Sequence, residues 1–221
     1  MSFRELDDFS PQQAMSEKTV IPKKVIYRLS TYFRCLQRLA ENGLETVSSG
    51  TLAKAAGVNS SQLRKDIAYL GQWGTRGLGY PVETLMNALR EVLRQEKLQP
   101  VILVGAGNLG SALLRYQGFQ KEGFEVVATF DNDIESARKR GLEVPLFHDA
   151  ELEDFLQKNP VRLAILCVPA EFAQGVTNRL VRAGVQGILN FSPAVLEVPK
   201  DIVVNRVDLA SELENLSFFI R

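Results

Sequence analysis

Residues 101–116 read VILVGAGNLGSALLRY, an apolar, partly β-branched run that passes through Gly105, Gly107 and Gly110 into an apolar-periodic helix. A lone GxGxxG says little. Its setting here says more, because a second strand-like run, EVVATFD, follows and ends in Asp131, 21 residues beyond Gly110. The glycines let the backbone turn tightly against a pyrophosphate, and an acid at the end of the second strand accepts hydrogen bonds from a ribose 2′-hydroxyl. The candidate cofactor contacts are therefore Gly105, Ala106, Gly107, Asn108, Leu109 and Gly110 in the loop, with Asp131 and Asn132 after the second strand. A 2′-phosphate beside Asp131 would be repelled, so NADH/NAD⁺ is expected rather than the phosphorylated pair. The basic run Arg138, Lys139 and Arg140 is read as a solvated helix end, not as the holder of such a phosphate.

Further strands are expected at EVPLF (143–147), RLAILCVP (162–169), GILNFSP (187–193) and DIVVNRV (201–207), with helical segments between most of them. This alternation predicts an α/β, Rossmann-like, doubly wound parallel sheet with ligands at the carboxyl ends of its strands. That nominates Cys167, Val168 and Pro169 after one strand and Asn190, Phe191, Ser192 and Pro193 after another. Tyr116, at the end of the first helix, is a further candidate for the nucleotide cleft.

A dehydrogenase needs a proton donor or acceptor beside the nicotinamide. The one histidine, His148, is read as a surface loop residue, and Cys167, flanked by Leu166 and Val168, as inert packing. No segment after Pro193 is long enough for a substrate domain. The expectation is a bound but unused cofactor and no enzyme, with a small NAD-dependent oxidoreductase as the alternative. Two cysteines 132 positions apart, Cys35 and Cys167, offer neither a disulfide framework nor a zinc spacing, so no metal is expected.

The chain has 221 residues and a formal net charge of zero. That sum hides a split. Residues 18–80 hold ten Lys or Arg against three acids, and the remainder is acidic to the same extent. A basic interaction domain joined to an acidic partner follows, and a polyanion becomes a candidate ligand. From Pro22 to Asn42, Val25, Leu29, Tyr32, Leu36 and Leu39 recur at helical spacing. GTLAKAAGV is then a short helix stopping at Gly57, and Asn59 is a candidate N-cap for SSQLRKDIAYL. Two short helices about a tight turn read as helix-turn-helix. With Leu63 and Ile67 inward, Ser60, Ser61, Gln62, Arg64 and Lys65 are left to face base edges and phosphates.

GQWGTRGLGYP follows and reads as a tight glycine-rich hairpin, the wing of a winged helix, with Arg76 at its tip for the minor groove and Tyr80 completing the DNA-facing set. The competing reading is a helical docking module with a glycine-rich linker. A helix from Val82 to about Gln95 leads to a boundary near residue 97. The division expected is a disordered tail (1–20), a winged-helix domain (21–97), a nucleotide-binding domain (98–207) and a C-terminal helix (208–221). That helix, LASELENLSFFIR, puts Leu209, Leu213, Leu216 and Ile220 on one stripe, which calls for a partner surface and favours a two-fold dimer. No apolar run approaches the ~20 residues that span a bilayer, and the polar first twenty residues predict no secretion signal, so the compartment expected is the cytoplasm.

With LSTYFRCL, QLRKDIAYLGQWGTRGLGYPV, VGAGNLGSAL, GILNFSPAVLEVP and VDLASELENLSFFI in this order, the chain resembles the Rex family of bacterial redox-sensing repressors over roughly residues 20–221. The resemblance implies a homodimer on inverted-repeat operator DNA that lets go when NADH rises, with a C-terminal helix swapped between subunits. It implies that the first-helix arginine, here Arg34, pairs in one state with the aspartate before the swapped helix, here Asp208. An aromatic residue commonly follows that aspartate in the family and contacts the nicotinamide region; Leu209 stands there in this chain. A regulator of another nucleotide, such as coenzyme A, is the remaining alternative, and Asp131 argues against it because it suits a free ribose diol and not a 3′-phosphate.

Overall fold

A computed structural model describes residues 21–74, 78–93 and 98–220. The expected tail (1–20), the wing tip with Arg76 and the boundary near residue 97 lie outside these described residues. The chain divides into two compact units, Met1–Glu96 and Lys97–Arg221.

In the first unit, α1 (Lys23–Glu41) starts behind Pro22, whose fixed φ suits a helix entry. Its stripe of Val25, Leu29, Tyr32 and Leu36 is buried. Ser48 accepts a hydrogen bond from the Thr51 amide and opens α2 (Ser49–Ala55). Asn59 accepts one from the Gln62 amide and opens α3 (Ser60–Ile67), as its position in the sequence suggests. Helix α4 (Val82–Val92) closes the core with Leu85 and Leu89, which meet Leu29, Leu36, Leu52 and Leu63. Removing any one of these leucines to alanine costs about 2–5 kcal/mol.

The middle of the expected hairpin, residues 75–77, lies outside the described residues, and its last residues join a second pairing. Strand β1 (Thr46–Val47), before the helix-turn-helix, pairs antiparallel with β2 (Tyr80–Pro81), after it. A residue as apolar as Val47 finds its cross-strand partner in Tyr80, so both ends of the motif are tied to one ribbon.

The second unit is a six-stranded sheet. Its strands are β3 (Gln99–Val104), β4 (Phe124–Asp131), β5 (Leu146–His148), β6 (Leu163–Leu166), β7 (Gly187–Asn190) and β8 (Val203–Arg206). All adjacent pairs are parallel, in the order β5-β4-β3-β6-β7-β8. This is a doubly wound order that reverses between β3 and β6, where such folds bind ligands. The crossings include α5 (Asn108–Leu114), α6 (Gly118–Lys121), α7 (Ile134–Arg138), α8 (Leu152–Lys158) and α9 (Ala170–Arg182). Strand β5 is shorter than expected and starts at Leu146, because Pro145 has no N–H for the ladder; its carbonyl still accepts from the Thr129 amide at 2.8 Å. Helix α10 (Leu209–Phe219) ends the unit and buries none of its residues.

Candidate nucleotide and nucleic-acid sites

Strands β3 and β6 deliver two loops to the switch point. Gly105 has φ +97, and a Cβ there would lie 2.6 Å from the Cys167 carbonyl oxygen. The two loops therefore touch backbone to backbone, and Gly105 tolerates no side chain. A Cβ on Gly110 would overlap the Gly105 carbonyl oxygen, so α5 also packs too closely for any other residue. At Gly107 a Cβ would meet nothing within 4 Å. The loop is closed beneath and open above, a shape that suits a phosphate laid along its backbone. Leu109 and Asn108 are exposed beside that opening.

Asp131 ends β4 and turns its carboxylate onto this loop. Its Oδ2 accepts from the Ala106 amide at 2.6 Å and its Oδ1 from the Asp133 amide at 2.8 Å. The orientation is fixed by main chain, and each oxygen keeps a lone pair for a ribose hydroxyl. Asn132 is exposed next to it. These groups fit the adenosine half of a dinucleotide.

At the other side, Phe191, Ser192 and Pro193 line a small pocket with Leu109, Val207, Asp208 and Leu209. Asn190 is placed differently from the expectation. It is 1% exposed, accepts from the Ser192 amide at 2.9 Å and donates to the Ala194 carbonyl at 3.0 Å. Its amide shapes the turn that presents Phe191 and Ser192. Ser192 is likewise 2% exposed. Cys167 donates its amide to the Val104 carbonyl, and burial pushes its thiol up to about 12, which removes it from thiolate chemistry at neutral pH. Val168 leans on the core and Pro169 caps α9.

Tyr116 is exposed on the surface of the second unit. It follows the far end of α5, about 10 Å along the helix from the loop, and packs edge-to-face on Phe119 at 5.2 Å. The basic run also departs from the reading of a solvated helix end. Arg138 and Lys139 are exposed, but Arg140 is half-buried and donates to Asn108 Oδ1 at 2.7 Å. His148 accepts from the Ala150 amide and caps a single turn, a local role. Among the described residues no group of three or more His, Cys, Asp or Glu could hold a metal, and no helix is long and apolar enough to cross a membrane.

In the first unit, Ser61, Arg64 and Lys65 are exposed on α3 and Ser60 is half-exposed at its start. Arg64 is steadied by Ser49 and Ser61 hydroxyls at 3.2 and 3.3 Å. Two expected DNA-facing residues turn inward. Tyr80 is 7% exposed in the core, because its strand pairs with Val47, and the Gln62 amide donates to Asp66 at 2.8 Å. Asp66, 1% exposed, also receives Arg28 at 2.5 and 2.7 Å and the Tyr32 hydroxyl at 2.7 Å. Burial pushes its carboxyl up, but the bonds from Arg28, Tyr32 and Gln62 together outweigh this and hold it below the usual carboxylate range. This network bolts α3 to α1. Nothing in its sequence spacing, 38 residues from Arg28 to Asp66, announces it.

Arg34 is exposed on α1. Asp208 accepts from the Ser211 amide at 3.1 Å, which caps α10, and pairs with Arg206. Both amide capping and the arginine hold its carboxyl below the ordinary range.

Residues 20–68 match a family described as putative DNA-binding protein N-terminus, and residues 96–194 one described as CoA binding domain. The redox-sensing transcriptional repressor Rex of Carboxydothermus hydrogenoformans is 47% identical over 91% of this chain and 97% of its own length. The Rex of Streptomyces coelicolor is 48% identical over 90% of this chain and 77% of its own. The chain belongs to the Rex family of redox-sensing transcriptional repressors. Among solved structures, the Rex-family repressor RSP in complex with β-NAD⁺ and operator DNA is 37% identical with a TM-score of 0.83, covering 92% of this chain and 94% of its own. RSP in complex with β-NADH aligns at 0.79, also at 37% identity, over 92% and 95%. The Rex fold thus accounts for both units of the chain.

Proposed function

We propose that this chain is a homodimeric repressor that binds an inverted-repeat operator through α3 and releases it when NADH occupies the loop between β3 and Asp131. The observation that carries the reading is the closed-beneath, open-above glycine loop with the Asp131 carboxylate aimed along it, in a chain that also presents Arg64 and Lys65 on a capped second helix. RSP, of the same family and fold, is known with NADH and with NAD⁺ plus operator DNA. When bound, the cofactor would supply only the charge and planarity of its nicotinamide ring; Asp131 and the loop would hold its adenosine half, and the pocket with Phe191 and Leu209 would receive its ring end.

The exposed Leu213, Leu216, Phe218 and Phe219 of α10 support a swapped helix that buries its apolar side on a second copy. Reduced nicotinamide is neutral and tolerates burial between subunits, whereas the oxidised ring is cationic and resists desolvation. Subunit closure then changes the spacing of two recognition helices that must match about one DNA turn, ~34 Å.

Titrating a labelled inverted-repeat operator complex with NADH, NAD⁺, NADPH and coenzyme A in parallel tests this. Release by NADH at the lowest concentration is expected; equal release by NADH and NAD⁺, or release by coenzyme A alone, contradicts it. Arg34 and Asp208 are proposed as the pair that reports closure. Asp208→Asn keeps the α10 cap but removes the charge, so operator binding should persist while NADH-driven release is lost; normal release in that variant removes the pair from the mechanism.

A further inference from the structure

Arg140 carries a charge whose nearest acidic influence is through space, from Asp133, which it shares with Lys139. Its guanidinium donates to the neutral Asn108 Oδ1 at 2.7 Å, and among the described residues no carboxylate lies within ion-pair distance of it. Its main chain is fixed in turn, because Arg115 donates to the Arg140 carbonyl and the Gly141 amide closes the turn on Arg138. The side chain is half-buried and held, not waving in solvent. It points at Asn108, next to Gly107, where the space above the loop is open. A held cation that, among the described residues, spends one of its five N–H donors on Asn108 and lies beside an open backbone cradle is arranged for a phosphate oxygen.

We propose that Arg140 is an affinity-setting residue that contacts the pyrophosphate of the bound dinucleotide. This deepens the sensing reading and rests on it. Two phosphates are chemically possible partners, the pyrophosphate shared by all dinucleotides and a 2′-phosphate. Asp131 decides for the first, because its main-chain-fixed carboxylate occupies the ribose end. The consequence is specific. NADH and NAD⁺ are identical at this end, so Arg140 strengthens both by the same factor and leaves their ratio untouched. It sets the nucleotide concentration at which the sensor responds, while the ring end sets the redox preference.

The test is the dissociation constant of the full-length chain and of Arg140→Gln and Arg140→Lys for NADH, NAD⁺, ADP-ribose and NADPH. Asn108→Ala serves as the control that removes the hydrogen bond and keeps the charge. Arg140→Gln should weaken NADH, NAD⁺ and ADP-ribose by a common factor of about five to ten, with Arg140→Lys and Asn108→Ala losing less. The NADH concentration for half-maximal operator release should rise by that same factor. Unchanged constants, a loss for NADH alone or a loss confined to NADPH each overturn the inference. A wild-type chain that binds none of the four overturns the sensing reading itself.

Discussion

Asp66 shows how much one residue can organise in the DNA-facing unit. Three side chains from two helices, Arg28, Tyr32 and Gln62, all donate to a carboxylate that is almost wholly buried. Its carboxyl is held below the usual value, so the stabilisation is present above the unfolded-state value of about 3.9 and is lost as pH falls through the lower folded-state value. Asp66→Asn keeps the shape and removes the charge. It should lower stability at neutral pH by about 1–3 kcal/mol and flatten the stability loss seen on acidification below about pH 4. Thermal unfolding of both proteins across pH 3 to 7 measures this, and parallel curves would show that the carboxylate contributes no charge-dependent stability. Such a network is invisible in sequence, because Arg28 and Gln62 each look like surface residues on amphipathic helices. Tyr80 misleads for the same reason: it sits in a stretch rich in glycine and proline, and only pairing with Val47 turns its ring inward.

At the level of elements, the parts that local chemistry specifies are the ones legible beforehand. Helix α1 announces itself by its stripe, α3 by Asn59, and the β3–α5–β4 unit by three glycines and an acid at fixed spacing. What local chemistry leaves open is partnership between distant segments: β1 with β2, the Asn190 turn, and the reach of Arg140 across to α5. Element ends also move when a main-chain donor is missing, as at Pro145. The same reasoning bears on α3. Arg64 and Lys65 are exposed cations on the second helix of the motif, with Arg64 preset by two hydroxyls. If both meet phosphates, replacing them by alanine weakens operator and random DNA alike and lowers the slope of log affinity against log salt by about two per subunit. Anisotropy titrations at several salt concentrations read that slope; an unchanged slope would place the DNA contact on another surface.

Across the whole molecule, a neutral total charge conceals a basic reader and an acidic sensor. The function proposed needs these two units to share one equilibrium, so that the state preferred by NADH is not the state preferred by DNA. A coupling of this sort is reciprocal: whatever factor NADH takes from operator affinity, operator must take from NADH affinity. Typical couplings of 1–3 kcal/mol correspond to about 5- to 150-fold, well within reach of titration. The most direct measurement is therefore the NADH dissociation constant of the full chain with and without saturating operator, set beside the operator constant with and without saturating NADH. The account predicts the same weakening factor from both directions for NADH and a much smaller one for NAD⁺. An NADH affinity indifferent to operator, with the operator affinity equally indifferent to NADH, would contradict it.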